Sequence, residues 1–566
     1  MTKTNYTALS ILISVFFFWG FIAAGNSIFI PFCKTYFNLD QFQSLLIDFA
    51  FYFAYYIGAL ILFIIGTQKG VDPVGKWGYK NSIVYGLIFS SIGAGCMIVS
   101  VYFSVFIGML FGLFIVALGF SLQQTAANPF IIALGDEKTG SNRISLGGGI
   151  NSLGTTVAPL VVGLALFGSI SYNDEMKSSL TMDKVVFLYL FVGLLFLFVA
   201  ALFGFSKKLP NPINIEPVEK SNKSLASLLI LTGLLFICFA PVFNSYRSES
   251  AVKIAKIEQQ KIDVQAITSN NSTIKILENE IQILKKPLEN QRLFWLSLSF
   301  FVVVGGILST YFLSRKNKIG WGAMQYPQLV LGMLAIFIYV GVEVTIGSNL
   351  SELLKQKEFG GYNPTQIAPF IALFWGSLMI GRWASAIHAF EFSQKTKNLL
   401  TVIVPIVAFV IVLFFTSLAK HSVENLFIYF FCVLIQILAF FISKNKPAQT
   451  LFVFSVLGVI STVIGIFTTG DVSVFSFVSG GLFCSIMWPC IFSLSLAGLG
   501  KYKSQGSAFL VMMILGGAII PPLQGKLMDI IGIQNSFIIA TICFSYLTFF
   551  AIFVKKILFK QNVSLD

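Results

Sequence analysis

Apolar runs of about twenty residues recur from one end of this 566-residue chain to the other, and each is long enough to cross a bilayer as a helix. Inside lipid the backbone has no water to bond, so only helices and closed barrels can span. A barrel needs ~10-residue segments of alternating polarity, and these do not dominate here. The chain therefore reads as an all-α polytopic membrane protein. Composition agrees, with 11% charged residues against about 25% in a soluble domain. Sixteen spans are expected, at 8–31, 44–66, 81–100, 104–135, 144–169, 184–205, 224–241, 293–313, 325–350, 364–390, 399–418, 425–442, 450–470, 472–498, 505–528 and 534–554. The N-terminal run is read as the first span rather than a removable signal, because no small-residue cleavage site follows a short apolar core.

Lys and Arg orient these spans. One set of short loops and termini carries Lys69, Lys76, Lys80, Lys138, Arg143, Lys207, Lys208, Arg315, Lys316, Lys444, Lys446, Lys501, Lys503, Lys555 and Lys556, while the opposite short loops hold far fewer. The positive side is cytoplasmic, so both termini are expected in the cytoplasm of a bacterium, with the protein in its inner membrane. The formal charge of +14 follows this orientation bias and forms no aromatic-interleaved basic patch, so no nucleic-acid partner is expected. Seven scattered cysteines and two histidines, without CxxC spacing or a Cys/His cluster, support neither a disulfide framework nor a metal site. No P-loop and no nucleophile–base pair can be assigned, so the chain is read as not an enzyme and as needing no cofactor.

Segment 242–292 is a polar, Lys/Glu-rich loop of about fifty residues on the outer side, long enough to escape the charge rule. Two readings stay open for it, a short helical hairpin or a mobile tether. An internal repeat is also visible. NPFIIALG (128–135) leads to APLVVG (158–163), and WPCIFSLSLAGLG (488–500) leads to GGAIIPPLQG (516–525). Paired Gly/Pro-interrupted spans in two halves mark a transporter built from repeats, with its site near the midplane.

The most informative stretch is SLQQTAANPF (121–130), polar residues inside an apolar run. At 3.6 residues per turn Ser121, Gln124, Thr125 and Asn128 share one face, while Gln123 points elsewhere. Buried amides are costly without partners, so the face must meet a water-filled cavity or other helices. Pro129 also frees a carbonyl one turn earlier. Polar glue between helices is the alternative. Against it stand a second polar face at Ser145, Gly148, Asn151, Ser152 and Thr155, and Trp19, Asn26 and Ser27 in the first span. Amides, hydroxyls and aromatic faces suit a neutral polyhydroxylated ligand. A phosphorylated one would call for Arg/Lys clusters within the spans.

QTAANPF (124–130), NRISLGGGINSLG (142–154) and FYFAYYIG (51–58) resemble the fucose permease family of the major facilitator superfamily. LVLGMLAIFIYVGVEVTIGSNL (329–350), GRW (381–383), GLFCSIMWPCIFSL (481–494) and GGAIIP (516–521) are more similar to its glucose/galactose transporter branch. The resemblance covers roughly 8–205 and 325–554. It implies two six-helix bundles, a central sugar site and alternating access. VDPVGKWGYK (71–80) sits where the superfamily keeps its Gly/Asp/Arg loop, in degenerate form. The superfamily has twelve spans, so four are extra: the pair 224–241 and 293–313, and a pair within 399–470. These are expected to pack outside the bundles. The domains are then 1–207, a central linker 208–324, and 325–566.

The family pattern places an Asp after Asn in the first span and a Glu before TAANPF, both associated with proton coupling. Here Ser27 and Gln124 stand there, Gly148 replaces a site Gln of the fifth span, and Asn151 is kept. Proton symport cannot simply be carried over. The other ionisable groups within spans are Asp48, Glu343, Arg382 and His388, and such residues are functional by default. The candidate substrate contacts are Trp19, Asn26, Ser27, Gln124, Thr125, Asn128, Asn151, Ser152, Asn349 and Trp488. Glu343 and Asp48 are the coupling candidates, through a proton or a sodium ion, and Arg382 is a gating candidate. The expected function is import of a neutral monosaccharide, glucose, galactose or a related hexose. The expected partners are that sugar and membrane lipid. Uncoupled facilitation of an amino or anhydro sugar, and a membrane sensor using 242–292, are the alternatives.

Overall fold

The computed structural model describes residues 3–37, 39, 41–169, 181–213, 216–267, 271–563 and 565, except for the side chains at 23, 25–36, 41, 42, 44, 45, 48, 182, 265–267, 271 and 272. Fifteen helices in it are long and apolar enough to cross a membrane. They are one fewer than the sixteen expected; the first helix, α1 (Tyr6–Tyr36), is 31 residues long, and its apolar stretch Tyr6–Ile22 is shorter than these. Five more complete a first bundle: α2 (Gln41–Lys69), α3 (Tyr79–Tyr102), α4 (Phe106–Ala133), α5 (Gly140–Phe167) and α6 (Met182–Phe205). Helices α3 and α4 approach unusually closely. A Cβ on Gly119 would come within 2.5 Å of the Gly86 carbonyl, and one on Gly93 within 2.6 Å of the Val116 nitrogen. Small residues replace the hydrophobic drive that is missing between helices in lipid.

The chain then makes α7 (Asn222–Ser245), α8 (Glu249–Ile267) and the 46-residue α9 (Asn271–Lys316). At 1.5 Å per residue α9 is about 69 Å long, more than twice a hydrocarbon core of ~30 Å. Its N-terminal half leaves the apolar layer and pairs with α8, with Lys253 bonded to Glu280 (3.1 Å) and Lys261 to Glu278 (2.6 Å). The described residues of 242–292 are thus helical and paired, which favours the hairpin reading over the tether. Apolar Ile254, Ile257, Leu277, Ile281 and Leu284 are at least half-buried in it. That periodic stripe is what a tether would lack.

The second bundle starts with α10 (Pro327–Leu354) and α11 (Pro364–Ala386). Three helices follow: α12 (Gln394–Leu418), α13 (Phe430–Ser443) and α14 (Pro447–Phe467). Of these, α14 packs on the last helix and on the span that follows it, as α3 packs on α6 and α4. It is the repeat counterpart, and α12–α13 are the added pair, lying against α11 and α14. The next crossing is broken into α15 (Gly470–Val478), α16 (Gly480–Cys484) and α17 (Met487–Leu496). The one after it divides into α18 (Lys503–Met512) and α19 (Gly516–Ile531), and α20 (Ile538–Lys560) ends the fold. These breaks differ from the proline positions that the repeat motifs point to. Pro489 lies in the first turn of α17, where its missing N–H has no intrahelical partner to lose, and Pro129 and Pro159 lie inside continuous helices.

The two bundles grip each other at the end that carries both termini. The Asn142 and Asn445 amides exchange hydrogen bonds (2.7 and 3.3 Å), Asn142 also donates to the Ser385 carbonyl (2.9 Å), and Ser145 bonds Ser385 (3.0 Å). Tyr6 stacks on Phe390, Lys503 pairs with Glu137, and Ser504 donates to Asp72. Asp72 also caps the short helix at Pro73, accepting from Gly75 N at 2.6 Å.

Burial in this seam pushes the Asp72 carboxyl above the usual carboxylate value of 3.8, and the Ser504 and Gly75 bonds offset it only in part. The folded state therefore favours the protonated acid. Its stabilising contribution is complete below the ordinary value and is lost as pH rises through the raised one. Asp72→Asn is expected to raise the thermal midpoint by roughly 1–3 °C near pH 8 and to leave it unchanged near pH 4, read as thermal unfolding against pH.

Candidate functional site

Between the bundles, beyond that seam, lies a cavity of about 270 Å³. The first bundle lines it with Phe16 and Trp19 of α1, Phe51, Tyr52 and Tyr55 of α2, Gln124 and Asn128 of α4, and Gly148 and Asn151 of α5. The second contributes Tyr339, Glu343, Trp375, Arg382 and Trp488, with apolar neighbours. Aromatic walls thus surround a few amides, one carboxylate and one guanidinium.

The polar stripe of α4 is divided between two duties. Gln124 and Asn128 line the cavity. The Gln124 amide donates to the Tyr55 hydroxyl at 3.3 Å, and Asn128 donates to the Gln124 carbonyl at 2.9 Å while its Oδ1 has no partner. An unpaired buried polar atom of this kind costs about 1–3 kcal/mol. Ser121 instead bonds the Tyr55 carbonyl (3.0 Å), and Thr125 faces a small gap beside Asp72 and Gln505. Of the three candidate contacts on this helix, Gln124 and Asn128 line the cavity and Thr125 does not. The stripe spans about 100° of the helix surface, wider than the cavity it meets.

The other candidates sort in the same way. Trp19, Asn151 and Trp488 line the cavity, and Asn151 also donates to the Phe16 carbonyl at 3.0 Å. Ser152 is turned to Arg382, and Asn349 bonds back to the Thr345 carbonyl of its own helix (2.9 Å), so neither lines it. The side chains of Asn26, Ser27 and Asp48 lie outside the described residues. His388 is beside the seam, in the turn after α11, and is not part of the cavity wall.

Gln123, set aside by the helical-face argument, proves to be a support. It is fully buried, accepts from the Trp19 indole N–H at 2.6 Å and donates to Ser90 at 3.1 Å. The indole N–H is thereby used up inside the protein, so Trp19 offers its ring to the cavity. The signal available beforehand was the second amide itself, which needed a partner somewhere.

Arg382 ties the site together. Its Nη1 donates to Ser152 Oγ (2.9 Å) and to the Gly148 carbonyl (3.4 Å) on the first bundle. Its Nε donates to the Ser485 carbonyl (3.2 Å) and its Nη2 to the Tyr339 hydroxyl (3.4 Å) on the second. Glu343 Oε1 is 4.0 Å from Nη2. The room Arg382 needs comes from Gly148, where a Cβ would come within 3.2 Å of the Arg382 side chain. Among the described residues no group of three or more His, Cys, Asp or Glu could hold a metal ion.

This central cavity between two six-helix bundles agrees with what comparison finds. A family model described as the Major Facilitator Superfamily matches residues 9–471. The chain belongs to that superfamily. The glucose/galactose transporter of Brucella abortus (strain 9-941) is 29% identical over 556 residues, spanning 98% of this chain and 96% of its own. The L-fucose-proton symporter of Escherichia coli (strain K12) is 25% identical over 553 residues, spanning 98% and 94%. A crystal structure of the E. coli fucose:proton symporter, an Asn-to-Ala variant, superposes with TM-score 0.60 at 21% identity, covering 98% of this chain and 99% of the other. This last likeness is one of fold.

Replacing Gln123 by Leu keeps the volume but leaves the Trp19 N–H unpaired, at a cost of about 1–3 kcal/mol. Adding Trp19→Phe removes the orphaned donor and is expected to return part of the lost thermal stability. A double-mutant cycle of unfolding midpoints checks this, and strict additivity would separate the two residues.

Proposed function

We propose that this chain is a proton-coupled importer of a neutral monosaccharide, working by alternating access in the inner membrane of a bacterium with both termini in the cytoplasm. The observation that carries the reading is the cavity's chemistry. Among the described residues its wall holds the side chains of one acid and one base, Glu343 and Arg382, beside three amides, three tyrosine hydroxyls and eight aromatic rings. The two charges cancel, so the wall asks for an uncharged ligand. Aromatic faces suit the C–H faces of a pyranose ring, and a few placed polar groups fix its hydroxyls. A volume of about 270 Å³ is at the small end for ligand pockets, usually 300–1,000 Å³, which favours one sugar ring over two. The relatives named for glucose/galactose and L-fucose support the same class. The distribution of Lys and Arg supports the orientation.

Glu343 is the group for coupling. It faces the cavity near the middle of α10 and is within reach of Arg382 and Tyr339. Gln124, at the family's acidic position on α4, cannot titrate. When Glu343 takes a proton, its attraction for Arg382 is lost and the guanidinium is left to Ser152, Gly148 and Ser485. Protonation thus redistributes one cation between the bundles, which links the ion to the gate. A proton, not sodium, fits this role, because the carboxylate's partners are hydrogen-bond donors. The relatives named as proton symporters support the choice.

Uptake of labelled D-glucose and D-galactose into proteoliposomes tests the reading, with a proton gradient, a sodium gradient or none. Accumulation is expected with the proton gradient alone. Glu343→Gln is expected to keep sugar exchange across the membrane while losing at least roughly 90% of accumulation, as removal of a coupling group demands. Full accumulation in that variant would remove Glu343 from the mechanism. Absence of any hexose movement in wild-type protein would remove the substrate class.

A further inference from the structure

We propose that the added pair α7–α9 is an outrigger, carried by the second bundle and leaning on the first, which opposes closure of the hairpin-bearing end. The proposal rests on alternating access but not on the identity of the solute. It starts from how unequally the pair is attached on its two sides.

Toward the second bundle α9 is fastened at both ends. Near the termini, where α9 runs on into α10, Ala323 N donates to Gln505 of α18 at 2.7 Å, and Ser224 at the start of α7 donates to the Trp321 carbonyl at 2.7 Å. At the far end Glu289 of α9 pairs with Lys526 of α19 and, at 3.0 Å, with Arg292. Arg292 donates to Ser245 Oγ of α7 at 2.8 Å and lies 3.6 Å above the Tyr246 ring. The three charged side chains are only 6–17% exposed. Separating such a pair strands a buried charge and is strongly unfavourable. Between these ends α9 packs along α10 and α19, with Phe300 against Phe337.

Toward the first bundle the attachment is of another kind. Phe49, Phe53 and Tyr56 form one stripe on α2 and meet Phe236, Phe239, Phe243 and Thr232 of α7. Tyr56 adds polar links, to Thr232 at 2.8 Å and to the Leu228 carbonyl at 3.4 Å. Ring contacts of this type tolerate sliding, whereas the ion-pair cluster does not. Relative motion of the bundles is therefore taken up between α2 and α7.

The direction of the effect follows from topology. Helices α2 and α19 touch directly, since a Cβ on Gly517 would come within 2.7 Å of the Tyr52 ring. With α7 and α9 they form a ring of four neighbours, α2–α7–α9–α19. The seam described above already closes the termini-bearing end. Alternating access requires the bundles to approach at the other end, which squeezes this ring and must push α7 along or off α2. A pair anchored on α19 by Glu289 resists that push.

The test places spin labels at Tyr102→Cys and Phe467→Cys, exposed residues at the hairpin-bearing ends of α3 and α14, one in each bundle. Pulsed dipolar spectroscopy then reads the distance between them in full-length protein in lipid, at two pH values, with and without D-galactose as probe. Two populations are expected in the wild type. Glu289→Gln, and separately Phe239→Ala with Phe243→Ala, are each expected to raise the short-to-long ratio by roughly fivefold or more, a typical coupling between sites. The two variants act at opposite faces of the pair, so a folding defect in one does not decide the matter. An unchanged ratio in both, or a shift to the long distance, would overturn the outrigger. One invariant distance in the wild type would instead overturn alternating access, and the outrigger with it.

Discussion

A guanidinium deep in a membrane protein must find all its acceptors within the protein, and Arg382 finds them on both bundles. Water cannot replace any of these bonds without entering the cavity, so the arrangement of four helices is constrained by one side chain. Gly148 is small because the Arg382 stem passes beside it, and Ser152 is turned toward it rather than toward the cavity. Tyr339 and Glu343 are held against the same group from α10. The cavity wall, its acid Glu343 and the contact between α5 and α11 thus share a single electrostatic centre.

That centre also accounts for a difference from the family pattern. The resemblance expects acids on the first and fourth spans, in the first bundle, where this chain has Ser27 and Gln124. Its cavity acid is instead Glu343 on the second bundle, 4.0 Å from the cation that reaches across. A carboxylate and its counter-ion held together in a low-dielectric cavity cost less than an isolated acid. Gln124 keeps the hydrogen-bonding geometry of its position, bonding Tyr55, without adding a charge.

The added helices illustrate where sequence patterning stops. Their existence and number were legible, because each is a long apolar run. Their placement was not. One pair lies against α11 and α14 as expected for an external addition, but α7 and α9 bridge the two bundles through Phe49, Tyr56 and Lys526. The charges that secure α9 read in sequence as ordinary surface residues near a span end. Only proximity turns Glu289, Arg292 and Lys526 into a buried cluster.

The sequence by itself determined the class of fold and the presence of polar residues inside the spans, because the bilayer penalises every unpaired polar group and leaves helices as the workable solution. It also singled out Gln124, Asn128, Asn151, Glu343 and Trp488, each of which lines the cavity. Only the tertiary structure decided which polar residues face that cavity and which brace it. Ser121, Thr125, Ser152 and Asn349 look like their neighbours in sequence, yet Ser121 and Asn349 donate to backbone carbonyls, Ser152 accepts from a guanidinium and Thr125 faces a separate gap. Gln123, dismissed by helical phase, orients Trp19. Helical periodicity gives the direction in which a side chain leaves its own helix, but its partner is set by the helix that happens to stand there.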